Sequence, residues 1–142
     1  MWSARFFPGG TPTLWCPMVT HYDAHGAIDA GRMRAHLAHL SKWVKGFLVP
    51  GSTGDGWEMD EREIRQLLDV VLAEAVRLKV RVLIGMLKTD ADAVKQSIRE
   101  TIDWLAARTG RTQSEECLEK AGACGFTVCP PKGKDLSQEK IG

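Results

Sequence analysis

The sequence lacks the features of several large protein classes. Its charge is nearly balanced, because 19 lysines and arginines stand against 18 aspartates and glutamates, so neither nucleic acid nor an anionic membrane is an expected partner. No apolar run approaches the roughly 20 residues that a membrane-spanning helix needs. Residues 1–10 also contain no apolar core of signal-peptide length.

Disulfide and metal-binding patterns are missing as well. Cys16 and Cys129 fall inside apolar stretches of strand type, and His36 and His39 lie one helical turn apart without a third ligand in register. We predict buried free thiols in a cytoplasmic protein, with no metal and no cofactor. None of the four cysteines belongs to a Cys-x-x-Cys pair; they are Cys16, Cys117, Cys124 and Cys129.

Apolar stretches of strand length alternate with helical patterns along the chain. Strands are predicted over residues 14–20, 46–50, 80–87 and 126–129. Helices are predicted to start at Asp29, at Asp60 and at Thr89 or Asp90, and a short one covers residues 115–121 before Gly122. In the second helix Asp60 and Glu63 suggest a capping box. Its buried stripe is Ile64, Leu67, Leu68, Val71, Leu72 and Ala75.

This alternation predicts an α/β fold with a parallel sheet, because the strands are apolar enough to be buried on both faces. Four βα units suit the N-terminal half of a (β/α)8 TIM barrel, which in full has about 250 residues. Residues 1–142 are therefore predicted to be a single incomplete TIM-barrel domain. The alternative is a small open doubly wound sheet with residues 46–50 at its centre. Residues 108–114 are predicted to form a loop, and a further helix to begin at Ser137.

The turn after the second strand is the first candidate for a functional site. Gly51, Ser52, Thr53 and Gly54 follow the strand directly, at the end where parallel α/β folds bind ligands. Backbone N–H groups and two hydroxyls there could hold a carboxylate or a phosphate. The alternative is a plain βα loop whose glycines satisfy turn geometry. The spacing is neither that of a P-loop nor that of a dinucleotide fingerprint.

Other side chains near the strand ends have a functional and a structural interpretation. Lys88 and Lys132 follow the third and fourth strands, where a desolvated lysine could form a Schiff base or a solvated one could simply occupy a loop. Asp55 and Glu58 could be a general acid/base pair or acids at a helix start. His21 and His25 lie at the end of the first strand, and Trp57 is placed to wall a ligand pocket.

Several segments together resemble a known family. They are Thr20-His21-Tyr22-Asp23, Gly26-Ala27-Ile28-Asp29, residues 46–55 with Gly51-Ser52-Thr53-Gly54-Asp55, Asp60-Glu61-Arg62-Glu63, Ile84-Gly85 and Val128-Cys129-Pro130-Pro131. In order and spacing the chain is similar to the dihydrodipicolinate synthase / N-acetylneuraminate lyase family. Members of that family show Thr-Pro-Phe, Asp-Gly-x-x-Asp, Gly-Thr-Thr-Gly-Glu and Glu-Arg segments.

The resemblance implies a TIM barrel with class I aldolase chemistry. In that chemistry a lysine forms a Schiff base with pyruvate or another 2-oxo acid. Thr53 would match the main carboxylate-binding threonine and Ser52 the hydroxyl of a proton relay, with Gly51 and Gly54 completing the substrate-binding loop. The small-molecule partner implied is a 2-oxo acid, and full-length members form homo-oligomers, usually dimers or tetramers.

The departures from the family pattern limit what the resemblance implies. The family's Schiff-base lysine and catalytic tyrosine lie on later strands, so neither is expected among these 142 residues, and the chain alone is expected to be an inactive N-terminal fragment of a lyase. His21 replaces a proline, Asp55 replaces a glutamate, and Pro130-Pro131-Lys132 replaces Pro-Tyr-Tyr. The alternative is a non-catalytic half-barrel that binds a small anion or self-associates through open edge strands.

Overall fold

Parallel strands alternate with helices in the computed structural model, which describes residues 2–129. The elements in chain order are α1 (Trp2–Phe6), β1 (Trp15–Pro17), α2 (Ala30–Leu40), β2 (Gly46–Val49), a 3-10 turn (Ser52–Gly54), α3 (Glu61–Leu78), β3 (Arg81–Met86), α4 (Ala91–Thr109), α5 (Ser114–Ala121) and β4 (Ala123–Val128). Lys132, the segment Pro130-Pro131-Lys132 and the helix predicted at Ser137 lie outside these residues.

The four strands form one sheet in the order β1-β2-β3-β4, and every pairing is parallel. Cys16 pairs with Phe47, and Phe47 in turn pairs with Val82. Sequential parallel order is the order of a barrel, whereas a doubly wound sheet would bring β2 to a switch point. The predicted α/β fold with the strand arrangement of half a TIM barrel is therefore confirmed, and the doubly wound alternative is wrong.

The core lies between the sheet and its helices. Phe47, Val49, Val82 and Ile84 share one face of β2 and β3 and are almost completely buried. Fully burying a side chain of this kind stabilises the fold by about 1.5–3 kcal/mol. The stripe predicted on α3 packs into the same core: Ile64 is half-buried, and five of its members are buried, namely Leu67, Leu68, Val71, Leu72 and Ala75.

The helices α2, α3 and α4 begin at the capping residues that the sequence predicted. Asp29 caps α2 by accepting a hydrogen bond from the Arg32 N–H. Asp60 and Glu63 form the predicted capping box, with the Glu63 N–H donating to Asp60 Oδ1 over 2.8 Å and the Asp60 N–H donating to Glu63 Oε2 over 2.9 Å. Asp90, rather than Thr89, caps α4. Each such cap stabilises its helix by about 1 kcal/mol.

Several predicted boundaries were wrong. The first strand, predicted over residues 14–20, covers only Trp15–Pro17. The loop predicted over residues 108–114 is shorter, because α4 continues to Thr109 and α5 already begins at Ser114. The last strand begins at Ala123 and ends at Val128, so Cys129 lies just past it. Gly122 ends α5 at φ 91°, as predicted.

An unpredicted helix, α1, lies beside the amino ends of the strands. Phe6 and Phe7 are buried against the core, and the Arg81 guanidinium lies 5.8 Å from the Phe6 ring centroid. Arg5 donates to a Glu119 carboxylate oxygen over 2.8 Å. This end of the sheet is thus occupied by the N-terminal segment, while the opposite end carries the candidate site.

Burial differs among the four cysteines: Cys117 and Cys124 are buried, as predicted, whereas Cys16 and Cys129 are half-buried. Cys16, Cys117, Cys124 and Cys129 are free thiols, and burial raises the pKa of Cys124 to about 12. Such a thiol is protonated at neutral pH and therefore a poor nucleophile. Among residues 2–129 there is no helix of the length and apolarity that crossing a bilayer would demand.

Candidate functional site at the carboxyl end of strand β2

The candidate loop forms a closed turn immediately after β2. The Gly51 carbonyl accepts hydrogen bonds from the N–H groups of Gly54 and Gly56, each over 3.1 Å. Within this loop Ser52–Gly54 form a single 3-10 turn. The loop is therefore held by its own backbone, which fixes where Ser52 and Thr53 stand.

The loop also packs tightly against the end of β1. A Cβ atom on Gly54 would lie 2.5 Å from the Met18 carbonyl oxygen, which is closer than real contacts allow. The Thr20 hydroxyl donates to the Gly54 carbonyl over 2.7 Å. Gly54 is thus required by close approach to a neighbouring strand end rather than by an unusual backbone angle.

Ser52 and Thr53 present polar groups to solvent. Both residues are exposed, whereas Gly51 and Gly54 on either side of them are buried. Within residues 2–129 the backbone N–H groups of Ser52 and Thr53 donate to no protein acceptor. Two N–H groups and two hydroxyls are therefore available at one strand end, a donor-rich arrangement that suits a small anion.

Trp57 contacts this loop directly. Its indole Nε1–H donates to Ser52 Oγ over 2.9 Å. The same side chain lines a groove of about 240 Å³ between α3 and α4, together with Lys88 and Trp104. Trp57 and Lys88 thus line a groove between two helices rather than a pocket at the loop. That Trp57 walls a ligand pocket stays a prediction.

Tyr22 and Asp55 are neighbours at this rim. Burial raises the pKa of Tyr22, and the nearby Asp55 carboxylate raises it further. Asp55 has a left-handed backbone with φ 61°, which aspartate tolerates better than most residues. The acids in the first turn of α3 are Glu61 and Glu63, so the interpretation of Asp55 and Glu58 as helix-start acids was wrong.

The sequence places His36 one helical turn from His39, but in the structure His36 contacts His21 instead. His21 Nε2 lies 3.0 Å from His36 Nδ1, whereas His39 packs edge-on against Trp43. The pKa of His36 is lowered by burial first, and then by the nearby His21 and His39. His25 lies in the exposed turn after β1, where its backbone N–H donates to Asp23 Oδ1. In the part of the chain that the structure describes, no three metal-ligating side chains come together.

Three of these contacts were not predicted from the sequence. The partners Thr20 and Gly54, and likewise His21 and His36, belong to different elements, so no local pattern connects them. The contact between Trp57 and Ser52 spans only five residues. An aromatic donor just after a glycine-rich turn was the one signal that could have indicated it.

Comparisons with known proteins support the fold and little beyond it. No protein-family model and no curated protein matches the chain. A crystal structure of CdNal from Clostridium difficile in complex with mannosamine matches with a TM-score of 0.60 at 14% sequence identity. The match covers 90% of this chain and 39% of that one, so the chain spans about two fifths of the length of its structural neighbour. At this identity the likeness establishes the α/β half-barrel fold.

Proposed function

We propose that the chain supplies the carboxylate-binding part of a pyruvate-type aldolase site of the dihydrodipicolinate synthase / N-acetylneuraminate lyase family. The observation that carries the proposal is the closed turn after β2, which leaves Ser52 and Thr53 exposed with free backbone donors. The half-barrel fold shared with CdNal supports the same proposal.

Within this proposal Thr53 binds the carboxylate of a 2-oxo acid through its hydroxyl and its N–H group. Hydrogen bonds to a charged acceptor contribute about 1.5–3 kcal/mol each, so one threonine suffices to orient a small acid. Ser52 provides the hydroxyl of a proton relay. Gly51 and Gly54 allow the turn to pack against the strand ends, as the contact of Gly54 with Met18 illustrates.

The covalent step of the proposed reaction requires a lysine. Its amine attacks the keto carbon and water leaves, giving an iminium. On cleavage the iminium accepts the electron pair of the carbon–carbon bond and becomes an enamine as the aldehyde leaves, and on bond formation the enamine donates that pair to the aldehyde carbon. The family resemblance assigns this lysine, and the catalytic tyrosine, to strands that follow the four described here. We further propose a homo-oligomer for the full-length protein and, from the free thiols, a cytoplasmic location.

A non-catalytic half-barrel is the second candidate. Among residues 2–129, β1 pairs only with β2 and β4 pairs only with β3, so each leaves one edge without a strand partner. Such edges favour self-association. Sedimentation of the chain over a range of concentrations separates the two candidates: growth in mass with concentration, without 2-oxo acid binding, favours the non-catalytic half-barrel.

The direct test of the proposal is titration with pyruvate, followed through the backbone N–H resonances of Ser52 and Thr53. Thr53→Val keeps the shape of the side chain and removes its hydroxyl, so affinity should fall by about tenfold or more. Thr112→Val is the matched control, because Thr112 is exposed in the loop before α5. Equal affinity in Thr53→Val and Thr112→Val would contradict the role of Thr53.

A further inference from the structure

The geometry of the loop brings Trp57 back over Ser52. The Gly56 N–H closes the turn onto the Gly51 carbonyl, and a Cβ on Gly56 would lie 2.3 Å from Leu87 Cδ1 and 3.0 Å from that carbonyl oxygen. Gly56 is therefore closely packed within the turn, and this packing fixes the direction of the chain at Trp57. The result is the 2.9 Å contact between Trp57 Nε1 and Ser52 Oγ.

This contact restricts what the Ser52 hydroxyl can do. An indole nitrogen only donates, whereas a serine hydroxyl has one proton and two acceptor lone pairs. Because Trp57 takes up one lone pair, the Ser52 proton must turn away from the indole. The hydroxyl is left with its proton available to donate and with one remaining acceptor position.

The other side of the indole borders a groove. Trp57 lines the groove between α3 and α4 with Met86 and Trp104, and 47% of the residue is exposed. The ring is thus hydrogen-bonded on one side and open to the groove on the other. Its N–H group is therefore oriented by the turn and by the contact with Ser52.

We propose that Trp57 is a positioning residue that keeps the Ser52 hydroxyl as a donor, and that it thereby makes the loop prefer a 2-oxo acid to the corresponding 2-hydroxy acid. This inference rests on the proposed function of the loop. A keto oxygen only accepts hydrogen bonds, so it matches the outward Ser52 proton. A ligand hydroxyl can accept the same proton, but it must then place its own proton on another acceptor, and Trp57 leaves Ser52 with only one acceptor position instead of two.

The contact itself is tested by the indole N–H resonances of the full 142-residue chain, which has five tryptophans. Trp57→Phe keeps a ring and deletes the donor, so the resonance that disappears is that of Trp57. Ser52→Ala should move this resonance toward the position of a solvent-exposed indole, and Ser52→Thr should restore it. Trp43→Phe is the control, because Trp43 is exposed and contacts His39 edge-on instead of Ser52.

Selectivity is tested with pyruvate and lactate as the two probes. The wild-type chain should prefer pyruvate, and Trp57→Phe should reduce that preference by about tenfold, as loss of an oriented hydrogen bond predicts, while Trp43→Phe leaves it unchanged. An unmoved Trp57 resonance in Ser52→Ala, or an unchanged preference in Trp57→Phe, would overturn this inference alone. If neither acid binds the wild-type chain, the proposed function fails, and the selectivity role fails with it.

Discussion

The Thr20 hydroxyl donates to the Gly54 carbonyl over 2.7 Å and so joins the end of β1 to the loop that follows β2. The two residues are 34 positions apart in the chain. This bond holds the candidate site in place from outside the loop, whereas the bonds to the Gly51 carbonyl hold it from within.

Thr20→Val should lower the free energy of unfolding by about 1 kcal/mol, because the Gly54 carbonyl loses its side-chain donor. Urea denaturation at neutral pH measures the change. Thr112→Val, which replaces an exposed threonine, should be close to neutral. Equal stability of the two variants would mean that the bond between Thr20 and Gly54 contributes nothing.

Gly54→Ala should disrupt the loop. The added Cβ would lie 2.5 Å from the Met18 carbonyl oxygen, and relieving the clash requires one of two packed backbones to move. Overpacking of this kind costs about 1–3 kcal/mol, and we expect pyruvate binding to weaken together with stability. Gly9→Ala is the control, because nothing lies within 4 Å of a Cβ on Gly9. Wild-type behaviour of Gly54→Ala would disprove the close packing.

Tyr22 should titrate above the ordinary pKa of tyrosine, about 10, because burial and the Asp55 carboxylate both disfavour the phenolate. The folded state therefore holds this proton more tightly than the unfolded state. The stability that Tyr22 contributes is complete below pH 10 or so and is lost as pH rises through the raised pKa.

Asp55→Asn removes the neighbouring charge, so the pKa of Tyr22 should fall while burial keeps it above the ordinary value. The chain has a single tyrosine, and its phenolate absorbance can therefore be followed without interference from another. Asp23→Asn is a comparison variant in the turn after β1. A pKa of Tyr22 that responds equally to both changes would argue against specific contact with Asp55.

His36 should titrate below the ordinary pKa of histidine, about 6.5, since burial and the nearby His21 and His39 disfavour its protonated form. Here the unfolded state binds the proton more tightly. The stability that depends on neutral His36 is present above about pH 6.5 and is lost as pH falls through the lowered pKa.

His21→Ala should raise the pKa of His36 toward the ordinary value without restoring it fully, because burial is the larger cause. The imidazole resonances of His36, followed against pH, measure this shift. His25→Ala changes an exposed histidine in the turn after β1 and should leave the titration unchanged. A pKa of His36 that is unaffected by His21→Ala would show that the 3.0 Å contact has no electrostatic effect.

Treatment of this chain with pyruvate and borohydride should leave its lysines unmodified. The proposed Schiff-base lysine belongs to a strand after the four described here, and Lys88 lies in the groove between α3 and α4 rather than in the loop. Mass spectrometry of the treated chain measures the outcome. A reduced adduct on Lys88 or Lys132 would require a different assignment of the nucleophile.

Helix α3 shows why some of this structure could be predicted from the sequence. Its apolar spacing and the capping pair Asp60 and Glu63 depend on contacts within a few residues, so the local sequence is enough to predict them. The start of β4 was missed because Ala123, Cys124 and Gly125 are small and carry little strand signal. The glycine-rich turn after β2 was predicted because glycines and hydroxyl residues directly follow an apolar stretch of strand length. Its role as a ligand site stays a prediction.

The sequence by itself determined where the main strands and helices lie and that a hydroxyl-bearing turn follows β2. Tertiary structure decided which groups meet there: Thr20 with Gly54, His21 with His36, and Tyr22 with Asp55. The physical reason is that hydrogen bonding and periodicity within an element depend on neighbours in the chain. Contacts between the ends of β1 and β2 depend instead on strand order and register, which the folded sheet alone specifies.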